Sequence, residues 1–304
     1  MRRLALALAA AASGCATAAE RGGGDPPVAT APAPPVIAPA ARPVPIRGSA
    51  AFAYNGELTQ GGWLKGSVPG GTVALTLDGA PVDVAPDGSF LIAFDRDAGR
   101  AATLVARLED GRSVTAALTI APRTWQIENV AVDQRPGALP SAEYERRRAT
   151  ELARINAARR IASASQGWRQ DFVWPVFGRI SGRFGAQRIY RGTPGSYHSG
   201  IDIATGQSGS PFVAPADGVV ILAAEAPFTL EGNLLMIDHG HGLNSAFLHS
   251  AKLLVKTGEI VRRGQAVGLI GMTGRATGPH LHWSLKWREA RLDPILFTGP
   301  MRTR

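Results

Sequence analysis

The chain has a single cysteine, Cys15, among its 304 residues, so no disulfide can form within it and packing alone must hold its fold. Acids are scarce relative to bases: 24 Asp and Glu against 33 Lys and Arg leave a net charge of +9. That balance favours anionic partners such as nucleic acid, anionic lipid or acidic polymers, without choosing among them. Long apolar runs are missing as well. The N-terminal stretch Leu4–Ala12 is too short to cross a bilayer as a permanent helix. Behind Met1-Arg2-Arg3 it reads as an export signal, and export argues against nucleic acid. Removing residues 1–14 takes two arginines and no acids, so the charge falls only from +9 to +7.

Cys15 closes that segment. Ala12-Ser13-Gly14-Cys15 resembles a bacterial lipobox, which implies lipidation of Cys15 and attachment to a membrane. Ala16 after the cysteine then points to an outer-membrane lipoprotein; the alternative is ordinary cleavage near residues 16–19. Residues 1–15 are thus a signal peptide carrying the lipobox. Residues 16–48, dominated by Pro, Ala and Gly, cannot bury enough surface to offset chain entropy and read as a disordered linker.

From 49 to 121 short alternating strands recur, for example Thr72–Leu77 and Ser89–Ala93, broken at Pro86-Asp87-Gly88 and Glu109-Asp110-Gly111. This spacing predicts a small β-sandwich with no cluster of His, Cys or acids, suited to positioning, binding or spacing. Residues 122–171 read as a helical connector. Its helix is predicted from an N-cap at Ser141 to about Ser165, docking along a stripe of Tyr144, Leu152 and Ile155. Its arginines predict a solvated face, or one facing an anionic lipid or polymer.

Residues 172–297 are strand-rich without helical periodicity, followed by a tail at 298–304. All six histidines lie here, between 198 and 282. In a strand, alternate residues share a face, so His280, His282 and Ser284 project one way and Leu281, Trp283 and Leu285 the other. The same parity places His198 with Asp202 and opposes Ile201 and Ile203. Two imidazoles and a carboxylate brought together make a three-ligand zinc site with a fourth position for water. His239 and His241, in a turn marked by Asp238, Gly240 and Gly242, read as structural. His249, ending the apolar run Phe247-Leu248, reads as functional.

Three segments, His198-Ser199-Gly200-Ile201-Asp202, Ala246-Phe247-Leu248-His249 and Thr273 to Trp283, resemble the lysostaphin-type zinc endopeptidases that cut peptidoglycan. Trp174 to Gly185 looks like the start of that domain and Asp293-Pro294 like its end. The resemblance covers about residues 172–297. It implies a mainly β fold, with a C-terminal lysostaphin-type peptidase domain behind the sandwich and connecting helix. It also implies one catalytic Zn2+ held by His198, Asp202 and His282, with His249 and His280 as catalytic histidines. A tyrosine often assists the oxyanion in relatives, but neither Tyr190 nor Tyr197 has a convincing spacing. Pro211, residues 214–218 and the 271–278 loop are expected to shape the groove.

The implied substrate is peptidoglycan peptide, at D-alanyl–diaminopimelate links, in the envelope or periplasm. The alternative function is a non-catalytic or latent envelope regulator that binds peptidoglycan and activates an amidase, although all five site residues are present. Residues 255–265 look like a hairpin of biotinyl and lipoyl carriers, yet no lysine stands at the matching turn.

Overall fold

The computed structural model describes residues 48–131, 141–224 and 226–301. The signal segment, Cys15, residues 16–47 of the linker and the end of the tail lie outside the described residues.

The N-terminal strands form two antiparallel sheets. Ala53–Gly56, Trp63–Ser67 and Ser89–Ala93 make one; Ala80–Val82, Thr72–Leu77, Ala101–Leu108 and Ser113–Thr119 make the other, in that order. Alternation along Ala101–Leu108 buries Ala102, Leu104, Ala106 and Leu108, as a half-solvated sheet requires. Leu64, Phe90 and Ile92 come inward from the first sheet.

The C-terminal half is built on an eight-stranded sheet. Its order is Ile260–Val261, Gly218–Ala223, Asn233–Asp238, Leu243–Ser250, Leu281–Trp287, Ile201–Ala204 and Arg179–Gly182, with Ala290–Leu292 also paired to Leu281–Trp287. One face carries Ile201, Ile203, Leu235, Ile237, Phe247, Leu281, Trp283 and Leu285, all almost wholly buried. They belong to the same hydrophobic cluster as the sandwich residues. Directly paired residues share a face, so Met236↔Ala246, Ala246↔Ser284, Leu248↔His282 and His282↔Asp202 define the opposite one.

The helix runs Ala142–Arg159, stopping short of Ser165, and Ser141 caps it by accepting the Tyr144 N–H. It lies on that opposite face, where Ile155 and Ala158 pack with Ile221, Leu234, Met236 and Ala246. The docking stripe differs from expectation: Glu151, Ile155 and Ala158 are buried while Leu152 is 41% exposed. The helix turns this way because Arg148 pairs with Glu231 and Glu151 accepts from Thr229. Within the stretch read as connector, Ile127–Val130 is a strand, paired parallel to Gln187–Tyr190.

The described residues fall in one compact unit. Trp63 Nε1 donates to Leu296 O at 2.8 Å, and Arg123 pairs with the buried Asp293 carboxylate at 2.7 Å. Arg96 donates to Gly185 O and Gln187 Oε1. The sandwich is therefore packed onto the larger sheet and is no loosely tethered spacer.

Candidate active site and metal centre

Three elements deliver the candidate ligands. His198 ends the loop before Ile201–Ala204, Asp202 sits on that strand, and His282 sits opposite it on Leu281–Trp287. His198 Nε2 lies 3.1 Å from Asp202 Oδ1 and 3.0 Å from His282 Nδ1, and His282 Nδ1 lies 2.9 Å from Asp202 Oδ1. Two glycines make this closeness sterically feasible. A Cβ at Gly200 would come within 2.4 Å of Trp283 O and 2.8 Å of His282 Nε2; one at Gly182 would come within 2.3 Å of Asp202 Oδ2.

Tautomers follow from the neighbours. A carbonyl oxygen can only accept, so His198 Nδ1, 3.0 Å from Arg183 O, carries the proton, and Nε2 of the neutral ring presents a lone pair. That lone pair faces a carboxylate oxygen and a second imidazole nitrogen. Such a convergence repels itself unless a proton or a cation sits among the three atoms. The donor set is nitrogen and oxygen chemistry that suits a divalent metal ion, and the separations approach the roughly 3.3 Å edges of a tetrahedron with bonds near 2.0 Å. The residues present fit the metal, and the Arg183 carbonyl fixes the orientation of one ligand as outer partners of metal histidines do.

The electrostatics agree. Burial alone would raise the Asp202 pKa, yet hydrogen bonds to His198 and His282 hold it well below the usual carboxylate range. Burial depresses His198, but Asp202 outweighs it and the net shift is upward. In the more deeply placed His282, burial wins and the shift is downward.

Two further histidines border the cluster. His280 Nδ1 donates to Gly278 O at 2.8 Å, and His249 Nδ1 donates to Thr273 O at 2.8 Å, so each neutral ring has Nε2 left as an acceptor. His280 Nε2 is 3.6 Å from Asp202 Oδ1, and the His249 and His280 rings are 4.9 Å apart. Burial lowers the His249 pKa, so this ring is neutral at neutral pH and able to take a proton.

His249 reaches the site through an irregularity. Phe247 pairs with Leu235 and Ser250 with Asn233, three steps on one strand against two on its neighbour, the signature of a β-bulge. In an unbroken strand His249 would share the face of Phe247, which is fully buried. Instead its backbone is left-handed, φ 64°, and its ring lines the cleft beside Leu248. For a residue with a Cβ that conformation costs roughly 1–2 kcal/mol, a kind of strain that concentrates at functional positions.

The cleft over the cluster, about 400 Å3, is lined by the five residues above together with Tyr197, Leu230, Glu231, Arg275 and neighbours. All five sequence-predicted site residues therefore meet in one place. Tyr197 joins them, its pKa raised by burial, while Tyr190 lies outside the cleft lining, in a strand paired to Thr193–Pro194. The 271–278 loop supplies Arg275, Ala276 and Thr277 to the wall, as expected. Pro211 and residues 214–218 do not line it: Pro211 edges a separate small sheet, and Ala214 and Ala216 are fully buried in the core.

His239 and His241 stay apart from the cluster. His239 donates from Nδ1 to Asp217 O and accepts the Ser245 hydroxyl at Nε2, and Ser245 Oγ also accepts the Trp283 indole N–H. This network braces the strand that carries His282 from behind. Glu231 and Leu230, which line the cleft, stand in no recognisable sequence pattern and were not anticipated.

Residues 196–294 match peptidase family M23, a span that holds His198, Asp202, His249, His280 and His282. Residues 196–294 are an M23 peptidase domain. A crystal structure of a putative M23 peptidase from Pseudomonas aeruginosa superimposes with a TM-score of 0.59 at 28% identity, covering 81% of this chain and 96% of that one. Its likeness thus extends well beyond the M23 span. The Vibrio cholerae peptidoglycan DD-endopeptidase ShyA is 41% identical over 142 residues, 46% of this chain and 31% of that protein. The Neisseria meningitidis DD-carboxypeptidase/endopeptidase Mpg is 36% identical over 129 residues, 41% of this chain and 28% of that protein. The matched segments span under a third of the length of these relatives.

Proposed function

We propose that the protein is a zinc-dependent endopeptidase that hydrolyses peptide cross-links of bacterial peptidoglycan, at D-alanyl–diaminopimelate bonds. Support comes first from one observation: His198 Nε2, Asp202 Oδ1 and His282 Nδ1 converge within hydrogen-bonding distance in a cleft that His249 and His280 also line. The M23 match and the activities for which ShyA and Mpg are named point the same way.

His198, Asp202 and His282 would hold the metal. Zinc in such a setting supplies a Lewis acid and a water acidic enough to deprotonate near neutral pH. The chain's own residues do the rest. His249, kept neutral by burial and oriented by Thr273, accepts a proton at Nε2 and returns it to the leaving amine. With Nδ1–H held by Gly278 O, the His280 ring donates toward the carbonyl oxygen from Nε2 when it carries its second proton; the two histidines can exchange these roles without altering the remainder. Tyr197 lines the same cleft, with its phenol beside Arg291.

The choice of bond rests on charge. Arg148 holds the Glu231 carboxylate in two hydrogen bonds of 2.6 and 2.7 Å, leaving Arg275 as a cleft cation with no side-chain partner among the described residues. A diaminopimelate link carries a free carboxylate on the carbon next to the scissile nitrogen, which an arginine can bind in a fork; a glycine bridge offers none. Substrate in the cell wall places the protein in the envelope, and no helix among the described residues is long and apolar enough to cross a membrane. Attachment through an acylated Cys15 is part of the same proposal.

Purified protein should digest isolated sacculi, chelator should stop it, and added zinc should restore it. Mass spectrometry of the products identifies the bond. Release only when an amidase is added would favour the regulatory reading; cleavage confined to glycine bridges would overturn the bond assignment.

A further inference from the structure

The helix Ala142–Arg159 lies outside the M23 span, yet its buried polar side chains reach the wall of the cleft. Arg148 grips both oxygens of Glu231, at 2.6 and 2.7 Å, and lies 3.3 Å from Glu151. One turn on, Glu151 Oε1 accepts the N–H and the hydroxyl of Thr229, both at 2.7 Å. The Arg154 guanidinium lies 4.9 Å from the centre of the Phe228 ring. Three residues of one helix therefore hold the segment from Phe228 to Glu231, and both sides of the Arg148–Glu231 pair are more than four-fifths buried.

That segment holds the most strained residue of the site. Glu231 O accepts the His249 N–H at 2.8 Å, and Leu230 O accepts the Arg275 N–H at 3.0 Å. Gly232 packs so closely on Thr273 that a Cβ there would lie 2.3 Å from the threonine Oγ1. Thr273 Oγ1 accepts the Asn233 N–H, and Thr273 O accepts His249 Nδ1–H. Both hydrogen bonds that set the His249 backbone and ring thus run to the segment itself or to the loop lying against it. The left-handed backbone of His249 would relax without them.

We propose that Arg148 and Glu231 are a positioning pair for His249: the helix preceding the M23 domain aligns a histidine of the cleft by clamping Phe228–Glu231 from outside. The inference rests on His249 acting in catalysis as described above. Neither partner touches the reacting atoms. Their role is to stop the bulge at His249 from reverting to a register in which the ring leaves the cleft.

The test uses the zinc-loaded full chain with Arg148→Gln, Glu231→Gln and the double variant. Each single change should lower kcat ~10- to 100-fold, as displacement of a catalytic group by about an ångström does. KM and bound zinc should stay near the parent values, because His198, Asp202 and His282 are untouched. The double variant should be no worse than either single one. In a His249→Ala background Arg148→Gln should have no further effect on the residual rate. Arg148→Lys, which keeps the charge and loses the fork, should recover part of the loss. Unchanged kcat, loss of zinc in step with activity, or an undiminished effect in the His249→Ala background would each overturn the pairing. A second readout does not depend on turnover: nitrogen-15 NMR of the metal-free protein should show the His249 Nδ1–H resonance shifted and exchanging with solvent faster in Glu231→Gln. A dead parent enzyme with this NMR change sinks the proposed function and leaves the positioning inference standing; an unmoved resonance sinks the inference alone.

Discussion

His280 and His282 are two residues apart on one face, yet they do different things. His282 puts Nδ1 at 2.9 Å from Asp202 Oδ1, inside the ligand cluster, whereas His280 comes no closer than 3.6 Å to that oxygen and is tied to Gly278 O. His282→Ala should therefore abolish both zinc retention and hydrolysis. His280→Ala should keep most of the zinc and lose turnover by ~100-fold or more. Metal analysis beside a rate assay decides this, since equal zinc loss in both would contradict the division. Arg275 admits a test of its kind: Arg275→Gln should lower kcat/KM at least tenfold on a carboxylate-bearing cross-linked dimer and leave the amidated dimer unaffected. A preserved preference for the carboxylate would remove Arg275 from recognition. Asp202 and His282 were legible as inward-facing polar residues because a two-residue period survives in Ile201–Ala204 and Leu281–Trp287. Arg275 and Glu231 were not, because a charged side chain in a loop means nothing until its neighbours are known.

At the scale of elements, the bulge in Leu243–Ser250 and the helix Ala142–Arg159 are the two features that alternation could not reveal. Local pattern places His249 with Phe247; one extra residue reverses that, and the stimulus for it lies in Asn233, Glu231 and Thr273, far off in sequence. The helix shows the same limit. Its cap at Ser141 is written in local chemistry, but its buried stripe is chosen by Thr229 and Glu231, so Leu152 faces solvent. Ile155, 5% exposed, anchors the apolar part of that contact. Ile155→Ala should cost about 2–4 kcal/mol in urea unfolding, against under 0.5 kcal/mol for Leu152→Ala. Equal effects would mean that the helix does not dock as described.

At the scale of the whole molecule, the sandwich and the sheet share a hydrophobic cluster and are joined by Trp63, Arg96 and Arg123. A fragment of residues 172–301 loses the cover over Phe297 and leaves the Asp293 carboxylate, 3% exposed, without its arginine. It should express poorly or aggregate, while the intact chain should show one calorimetric transition; two separate transitions would refute the shared core. Stability should also fall with acid through His239. Burial pushes its pKa down to about 4 in the fold, against about 6.5 unfolded, so the unfolded chain binds the extra proton between those values. The stabilisation is complete above pH 6.5 and declines by about 3 kcal/mol as pH drops to 4. Urea midpoints across that window should show a shallower slope for His239→Gln than for the parent. What the sequence settled unaided was periodic and local: strand alternation, turn residues, the helix cap, and the order of ligand motifs that mark an M23 domain. What tertiary structure alone decided was which loop braces which residue, how His249 turns into the cleft, and that sandwich, helix and sheet form one body. Those outcomes depend on contacts between residues distant along the chain, and no short-range pattern encodes the distance between them.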